Sequence, residues 1–357
     1  MLLISQQNKD PMCCKVSKNI LSNGNVKSDL YIKANVAKME AAADFNGVII
    51  QSTYTDPVTR LSFLLNHISL PYAIPYELLV PSEQGITSTP FKKFKSNFLR
   101  INIAEGGKTW LLEDTERDMF VHNCKMTARL AKNSWLTGIF IDAEAYGGSI
   151  FWKYEALAAL HPSAYTFQDY QNKYFETGVL VGNEIAKEYP TIKLLIAISY
   201  EQLRSVTPTQ LPANKYGLLP SFLNGLHEGI GNDARIVNTL EDGYANRVEA
   251  DFDYDLNVQI AKNVPYLNSV KYPTVHVHGM STWCDYPGTG FNFQDPSKNY
   301  NTPEKFEANL EMALKRVDWV VSYCEQINWQ APTVGVNAPP APYLAALSRV
   351  AVKYGVV

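Results

Sequence analysis

Acidic side chains stand at the end of the most distinct apolar segment of this sequence. That segment, Gly138 to Ile141, runs directly into Asp142 and Glu144, with Tyr146 beyond them. On an extended strand, residues two apart point to the same side, with Cα atoms about 7 Å apart. Two carboxyl groups held together in a partly dry pocket repel each other, which raises one pKa and leaves an acid that can protonate a leaving oxygen. Asp142 and Glu144 therefore have the types and the spacing for general acid-base chemistry.

Other apolar segments end in similar residues. Glu241 and Asp242 follow the sixth segment, and one of them must point inward whichever phase the strand takes. Both are therefore candidates for a second catalytic carboxylate. Further residues after segments four to eight have carboxylate, imidazole or ring groups that suit hydrogen bonding to, or stacking on, a substrate. They are Tyr146, Tyr200, Glu201, Tyr244, His278, Trp283, Asp285, Glu325 and Trp329.

A closed ring of parallel strands would bring these distant residues together. Strand-like apolar runs alternate with helical patterns along the chain, and the eight strand–helix units predict a single (β/α)₈ TIM barrel spanning residues 1–357. The rival, a doubly wound sheet, lacks its glycine-rich phosphate turn here. The predicted strands cover residues 16–20, 47–51, 98–103, 137–144, 193–199, 235–240, 274–278 and 319–324.

Local signals add detail to this barrel. The residues Ser-Asn-Gly-Asn at 22–25 predict a turn after the first strand, and residues 54–96 predict a long inserted loop region with a possible helix near 61–67. Thr302 and Pro303 have the types preferred at a helix N-cap and at the first helical position. Apolar residues at helical spacing follow them, so a helix is expected to begin at Pro303.

Composition excludes several classes of function. The formal net charge is −3 and no block of Lys and Arg occurs, so we expect no nucleic-acid partner. The apolar stretches are shorter than the roughly 20 residues that a membrane-spanning helix needs, so no membrane partner is expected either. No signal-peptide core is visible, which predicts a cytoplasmic protein, or a secreted one if a signal was removed. The oligomeric state stays open.

Cysteine and histidine spacing bears on metal binding. The five cysteines are odd in number and contain no CxxC pair, which favours buried free thiols over disulfides or structural zinc. His276 and His278 form an H-x-H pair, with His227 as an obvious third ligand, so a metal-dependent barrel hydrolase is an alternative. A hydrogen-bonded barrel histidine is the simpler interpretation, and we expect neither a metal nor a cofactor.

The segment from Gly138 to Glu144 resembles the latter part of the D-x-x-D-x-D-x-E pattern of family 18 chitinase-like glycosidases. The last two acids match, while Phe140 occupies the preceding Asp position. In that family the Glu is the general acid and the Asp before it positions the acetamido group of the substrate. A Glu after strand four is also similar to the acid/base of the large retaining-glycosidase barrel clan, whose nucleophile follows strand seven, where this sequence has Asp285.

The resemblance implies a glycoside hydrolase-like enzyme that cleaves or transfers glycosidic bonds of a carbohydrate substrate. Glu144 would be the general acid/base, Asp142 would support it, and a carboxylate after strand six or seven would be the nucleophile or base. Two alternatives stand beside it. One is the metal-dependent hydrolase with His276 and His278, and the other is a carbohydrate-binding barrel without catalysis.

Overall fold

The computed structural model describes residues 17–55, 62–64, 68–69, 72–104, 114–160, 165–329 and 337–357. The strands in these ranges are β1 (Asn19–Ser28), β2 (Gly47–Gln51), β3 (Thr53–Thr55), β4 (Ser62–Leu64), β5 (Phe98–Asn102), β6 (Gly138–Asp142), β7 (Lys193–Ile196), β8 (Arg235–Asn238), β9 (His276–His278), β10 (Met280–Trp283) and β11 (Trp319–Tyr323). The α-helices are α1 (Asp29–Ala42), α2 (Val80–Thr87), α3 (Asp114–Asn133), α4 (Tyr154–Leu160), α5 (Phe167–Glu188), α6 (Leu219–Gly229), α7 (Glu249–Asp253), α8 (Ile260–Asn263), α9 (Tyr272–Val275), α10 (Pro303–Arg316) and α11 (Ala341–Tyr354).

Nine of the strands form one parallel sheet that curls into a barrel. Their order is β10-β11-β1-β2-β5-β6-β7-β8-β9, and every neighbouring pair is parallel. Only Gly279 separates β9 from β10, and its N–H donates to the Asn238 carbonyl on β8 at 2.7 Å. These two strands are therefore the halves of a single seventh barrel strand that bridges β8 and β11. The predicted (β/α)₈ barrel is confirmed.

The register of the strands decides which side chains face the barrel interior. Arg100 on β5 pairs with Phe140 on β6, which in turn pairs with Leu195 on β7. Side chains at paired positions share a face of the sheet, and successive residues alternate between faces. Near the amino ends of the strands, the interior rings of Phe98 and Trp319 pack edge to face with centroids 5.6 Å apart. Aromatic side chains thus fill the barrel interior near the amino ends of the strands, and polar side chains line it toward the carboxyl ends.

The first barrel strand differs from its prediction. Val16 lies outside the described residues, and the predicted turn at 22–25 is instead part of β1, which continues to Ser28. The pairing register with β2 shifts between Ser22 and Lys27, as in a β-bulge. Gly24 has φ +106°, and a Cβ atom there would lie 2.0 Å from the Cys324 carbonyl oxygen. Glycine allows this bend, so the segment extends the sheet rather than ending it.

The described parts of the region from 54 to 96 contain some regular structure. Thr53–Thr55 pairs antiparallel with Ser62–Leu64, and α2 follows later. The prediction of a helix near 61–67 is wrong for residues 62–64, because they form β4. Residues 61 and 65–67 lie outside the described residues. Periodicity over seven residues did not separate a short strand from a helix.

The helix predictions agree with the structure where they were sharpest. Thr302 is the N-cap of α10, its hydroxyl accepts from the Lys305 N–H, and Pro303 is the first helical residue. Cys124, Cys284 and Cys324 are buried free thiols, as expected, while residues 13 and 14 lie outside the described ranges. No helix that the structure describes is both long and apolar enough to span a bilayer.

Candidate active site

A polar pocket lies at the carboxyl ends of the barrel strands. Its volume is about 100 Å³, and its walls come from the first, third, fourth, sixth and eighth barrel strands and the turns that follow them. The lining residues are Asn23, Gly24, Val26, Arg100, Phe140, Asp142, Tyr146, Glu241 and Tyr323. Two carboxylates, one guanidinium and two phenols therefore meet in one cavity, as expected for the carboxyl end of such a barrel.

Asp142 is the last residue of β6, is buried, and is held at both carboxylate oxygens. Oδ1 accepts from the Glu144 N–H at 3.0 Å, and Oδ2 accepts from Arg100 Nη2 at 2.8 Å and from the Tyr146 hydroxyl at 3.2 Å. The ion pair with Arg100 and the bond from Tyr146 fix the position of the Asp142 carboxylate. It is placed to hold the guanidinium and the Tyr146 ring in the pocket.

Glu144 lies beyond the strand and not on it. Its N–H donates to Asp142 Oδ1 at 3.0 Å, where the chain leaves β6. Glu144 is half-buried, and its carboxylate contacts the Tyr146 hydroxyl and raises the pKa of Tyr146, after the larger contributions of burial and Asp142. The Glu144 carboxylate thus stands beside the pocket wall.

Glu241 brings the second carboxyl group into the pocket. It opens the short 3₁₀ helix Glu241–Ala245, directly after Leu240, whose φ of +45° is rare for a residue with a side chain. The Tyr244 hydroxyl donates to Glu241 Oε1 at 2.7 Å. Burial of the carboxyl group raises the pKa of Glu241 well above its ordinary value, opposed by the Tyr244 bond and reinforced by the charges of Asp142 and Glu144. Such a carboxyl group keeps its proton where ordinary acids have lost theirs.

Asp242, the other acid predicted after the sixth strand, does not line the pocket. Its carboxylate forms an ion pair with Arg204 on the turn after β7. Of the two neighbouring acids, the fold thus directs Glu241 inward and Asp242 toward a surface cation. The sequence could predict that one of them points inward but not which.

Aromatic rings stand next to Glu241. Trp283 packs against Tyr244 and Tyr323, with centroids 5.2 and 4.9 Å away, and against Tyr286 at 5.3 Å. We call these four residues the aromatic wall. Only Tyr323 of the wall lines the pocket itself. Burial raises the pKa of Tyr323 to about 12, with a further contribution from the nearby Glu325 carboxylate, so Tyr323 remains a hydrogen-bond donor at neutral pH.

Several predicted substrate-binding residues lie outside the pocket. Trp329 is only 2% exposed and packs between Phe45 and Phe306. Tyr200 is buried with its hydroxyl on Asn224. Neither ring has a free face for a sugar, because each is enclosed by protein.

Three acidic residues that were predicted to bind substrate also lie outside the pocket. Asp285 is buried and accepts the backbone N–H groups of residues 325–327 as well as Trp283 Nε1, which fixes the loop after the eighth strand. Glu325 itself is exposed, beside Gly288 and near Tyr323. Glu201 is buried and bonds to the Ser199 N–H and to Asn238. None of these carboxylates lines the pocket.

The H-x-H pair faces away from the barrel interior. His276 and His278 pair with Ile236 and Asn238, whose face of the sheet is opposite to that of Val237 and Leu195. His276 bonds to His227 Nε2 at 3.0 Å and stacks on Tyr272. Burial lowers the pKa of His278 to about 4. Within the described ranges, no three His, Cys, Asp or Glu residues are arranged to hold a metal ion.

Sequence reasoning missed Arg100, Asn23 and Tyr323. Arg100 carried a usable signal, because a charged residue inside the apolar run 98–103 is costly to bury without a partner. Tyr323 is the last residue of its strand and could have been included with the other rim aromatics. Asn23 carried no such signal, since its segment has the composition of a turn.

Comparison with known proteins places the fold but not a family. No family model matches the sequence, and no curated protein does. Among solved structures, the chain is similar to a GH5_18 protein from Streptomyces cattleya in complex with GlcNAc, with a TM-score of 0.53 and 8% identity over 95% of this chain and 80% of that one. A β-mannanase from the blue mussel Mytilus edulis gives a TM-score of 0.49 and 10% identity over 92% and 91%. A 3-keto-D-glucoside 4-epimerase from E. coli gives 0.46 and 11% over 94% and 100%. The chain therefore shares the (β/α)₈-barrel fold with the GH5_18 protein.

Proposed function

We propose that this chain binds a carbohydrate in the pocket and cleaves or transfers its glycosidic bond, with Glu241 as the proton donor. The observation that carries the proposal is the meeting of Glu241 and Asp142, from different barrel strands, in one cavity with Arg100. Glycosidic cleavage needs one carboxyl group that is protonated and one that is ionised. The raised pKa of Glu241 fits the first requirement.

We assign Glu144 as the second carboxylate of the mechanism, because Asp142 is held by Arg100, whereas the Glu144 carboxylate contacts Tyr146 of the pocket and its charge helps to raise the pKa of Glu241. The proton of Glu241 passes to the leaving glycosidic oxygen as the bond from that oxygen to the anomeric carbon breaks. The Glu144 carboxylate then either forms a bond to the anomeric carbon or takes a proton from the attacking water. Relative to the sequence-based hypothesis, the proton donor moves from Glu144 to Glu241, because the pKa of Glu241 is raised well above its ordinary value. Asp142 keeps its supporting role by holding Arg100 and Tyr146.

The size of the pocket bears on the substrate. About 100 Å³ is below the 300–1,000 Å³ of usual small-molecule sites, so the described cavity suits at most one sugar unit. The aromatic wall is a candidate surface for a neighbouring unit, because flat apolar rings pack on sugar faces. The similar GH5_18 protein was solved with GlcNAc, which makes N-acetylglucosaminides a sensible first probe.

Turnover of 4-nitrophenyl glycosides of N-acetylglucosamine, glucose, mannose and xylose tests the proposal. Glu241→Gln and Glu144→Gln are expected to lower kcat by roughly 10²–10⁴-fold, the usual contribution of acid-base catalysis. The matched control is Asp242→Asn, which removes an acid adjacent to Glu241 but outside the pocket and is expected to retain turnover. Full activity of Glu241→Gln would refute the assignment.

Two further measurements separate the alternatives. The anomer released first, followed by NMR, decides whether Glu144 acts as nucleophile, with retention, or as base, with inversion. Binding of these sugars without turnover would instead support the carbohydrate-binding barrel without catalysis. Loss of activity on treatment with a chelator would support the metal-dependent hydrolase, for which the described residues offer no ligand set.

A further inference from the structure

The turn that carries Glu241 is fixed at both ends by a buried amide–carboxylate pair. At its start, Asn238 Nδ2 donates to Glu201 Oε2 at 3.1 Å. At its end, Asn246 Nδ2 donates to Asp255 Oδ2 at 2.6 Å. All four residues are buried, at between 1% and 8% exposure. None of them lines the pocket, and the proposed mechanism uses none of them.

The first pair acts on the backbone next to Glu241. While its amide nitrogen bonds to Glu201, Asn238 Oδ1 accepts the N–H of Leu240 at 3.0 Å. Leu240 is the residue with the left-handed backbone, and that conformation persists only where the surroundings impose it. Glu201 is itself anchored, because Oε1 accepts the Ser199 N–H at 2.8 Å. The direction of the chain into Glu241 is thus set by a series of hydrogen bonds that begins at Ser199, after β7, and ends at Leu240.

The second pair closes the turn. Asp255 lies in the π-helical segment Tyr254–Gln259, an irregularity that often occurs near functional sites. Between the two pairs, Gly243 lies against the seventh barrel strand, where an added Cβ would be 2.8 Å from the Ser281 carbonyl oxygen. The turn therefore packs against β10 and is held at each end, which fixes the position of the Glu241 carboxyl group in the pocket.

We propose that Asn238 with Glu201, and Asn246 with Asp255, are positioning residues that hold the Glu241 carboxyl group in the pocket. The inference rests on the proposed function in taking Glu241 as the proton donor. Its consequence is specific: removing either amide lets the turn relax, and the Glu241 carboxyl group gains contact with water. A carboxyl group that is rehydrated titrates closer to its usual range.

The test is the titration of Glu241, followed by NMR of glutamate-labelled protein with ¹³C at the carboxyl carbons. Glu241→Gln identifies the signal by removing it. In Asn238→Ala and in Asn246→Ala the pKa of Glu241 is expected to fall by at least one unit. The control is Asn224→Ala, an equally buried asparagine on α6 that bonds to Tyr200 and Tyr266 and does not touch the turn. In this control the Glu241 pKa is expected to stay unchanged.

An exchange of donor and acceptor provides the rescue. The double variant Asn238→Asp with Glu201→Gln retains the acceptors for the Leu240 and Ser199 N–H groups and reverses the hydrogen bond between the two side chains. It is expected to restore the Glu241 titration to within half a unit of the unmodified protein. An unchanged pKa in both alanine variants would overturn the inference, as would a double variant that titrates like Asn238→Ala.

This readout does not depend on turnover. If no glycoside is hydrolysed but the alanine variants shift the titration as expected, the positioning role stands and the proposed function fails. If glycosides are hydrolysed and the titration does not respond, the proposed function stands and the positioning role fails. Where turnover is found, the alanine variants are expected to lower kcat at least tenfold with KM changed less than threefold.

Discussion

Glu201 offers a test of the buried charge network through protein stability. Its side chain is 1% exposed, and burial raises its pKa to about 7, from an ordinary value of 4.5, despite its bonds to Ser199 and Asn238. The folded protein therefore holds this proton more tightly than the unfolded chain does. The stability that comes from protonated Glu201 is fully present below pH 4.5 and is lost as the pH rises toward 7.

The size of the effect follows from the two pKa values. One unit of pKa difference is worth about 1.4 kcal/mol, so a shift from 4.5 to about 7 corresponds to about 3 kcal/mol. Glu201→Gln cannot ionise and keeps an acceptor for the Ser199 N–H. Its free energy of unfolding, relative to the unmodified protein, is expected to rise by about 3 kcal/mol between pH 4 and pH 8. Any loss from the altered contact with Asn238 is the same at every pH.

Urea denaturation followed by tryptophan fluorescence, at half-unit steps from pH 4 to pH 8, measures this difference. Glu176→Gln is the matched control, because Glu176 is exposed on α5. Its stability difference from the unmodified protein is expected to be constant with pH. If the Glu201→Gln difference is equally constant, the buried carboxyl group does not titrate in this range and the reasoning is refuted.

Three further changes test the barrel and its site. Gly225→Ala is expected to lower the free energy of unfolding, measured in urea, by about 2 kcal/mol, because the new Cβ would lie 2.0 Å from the Phe175 carbonyl oxygen where α5 meets α6. Its control, Gly231→Ala, adds a Cβ with only ordinary contacts and is expected to leave stability nearly unchanged. Asp142→Asn is expected to lower stability by about 2 kcal/mol, since it removes the carboxylate charge that pairs with the partly buried Arg100. The same change is expected to lower the pKa of Glu241 in the NMR titration, because it removes a nearby negative charge. His227→Gln is expected to move acid unfolding, followed by circular dichroism, to lower pH. Burial holds the pKa of His227 at about 4, and the stability this provides, present above pH 6.5, is lost as the pH falls through 4; an unchanged acid midpoint would contradict this.

The sequence by itself determined the barrel. Apolar runs of strand length alternate with helical patterns eight times, and a chain that must bury such strands on both faces closes them into a parallel ring. The residues after each run must then lie at one rim, which is why the sequence alone predicts Asp142, Glu241 and Tyr146 at the site. Thr302 and Pro303 fixed a helix start because capping is a local property of the backbone.

Only the tertiary structure decided which of the candidate residues share the pocket. The direction of a side chain beyond a strand end depends on how the turn is anchored, and that anchoring uses distant partners: Arg204 draws Asp242 away, while Asn238 and Asn246 direct Glu241 inward. The same holds for the β-bulge at Gly24: its residues have the composition of a turn, and its packing against the Cys324 carbonyl is a long-range contact. Residue types and periodicity record local preference, whereas a site is a set of long-range contacts that only the folded chain specifies.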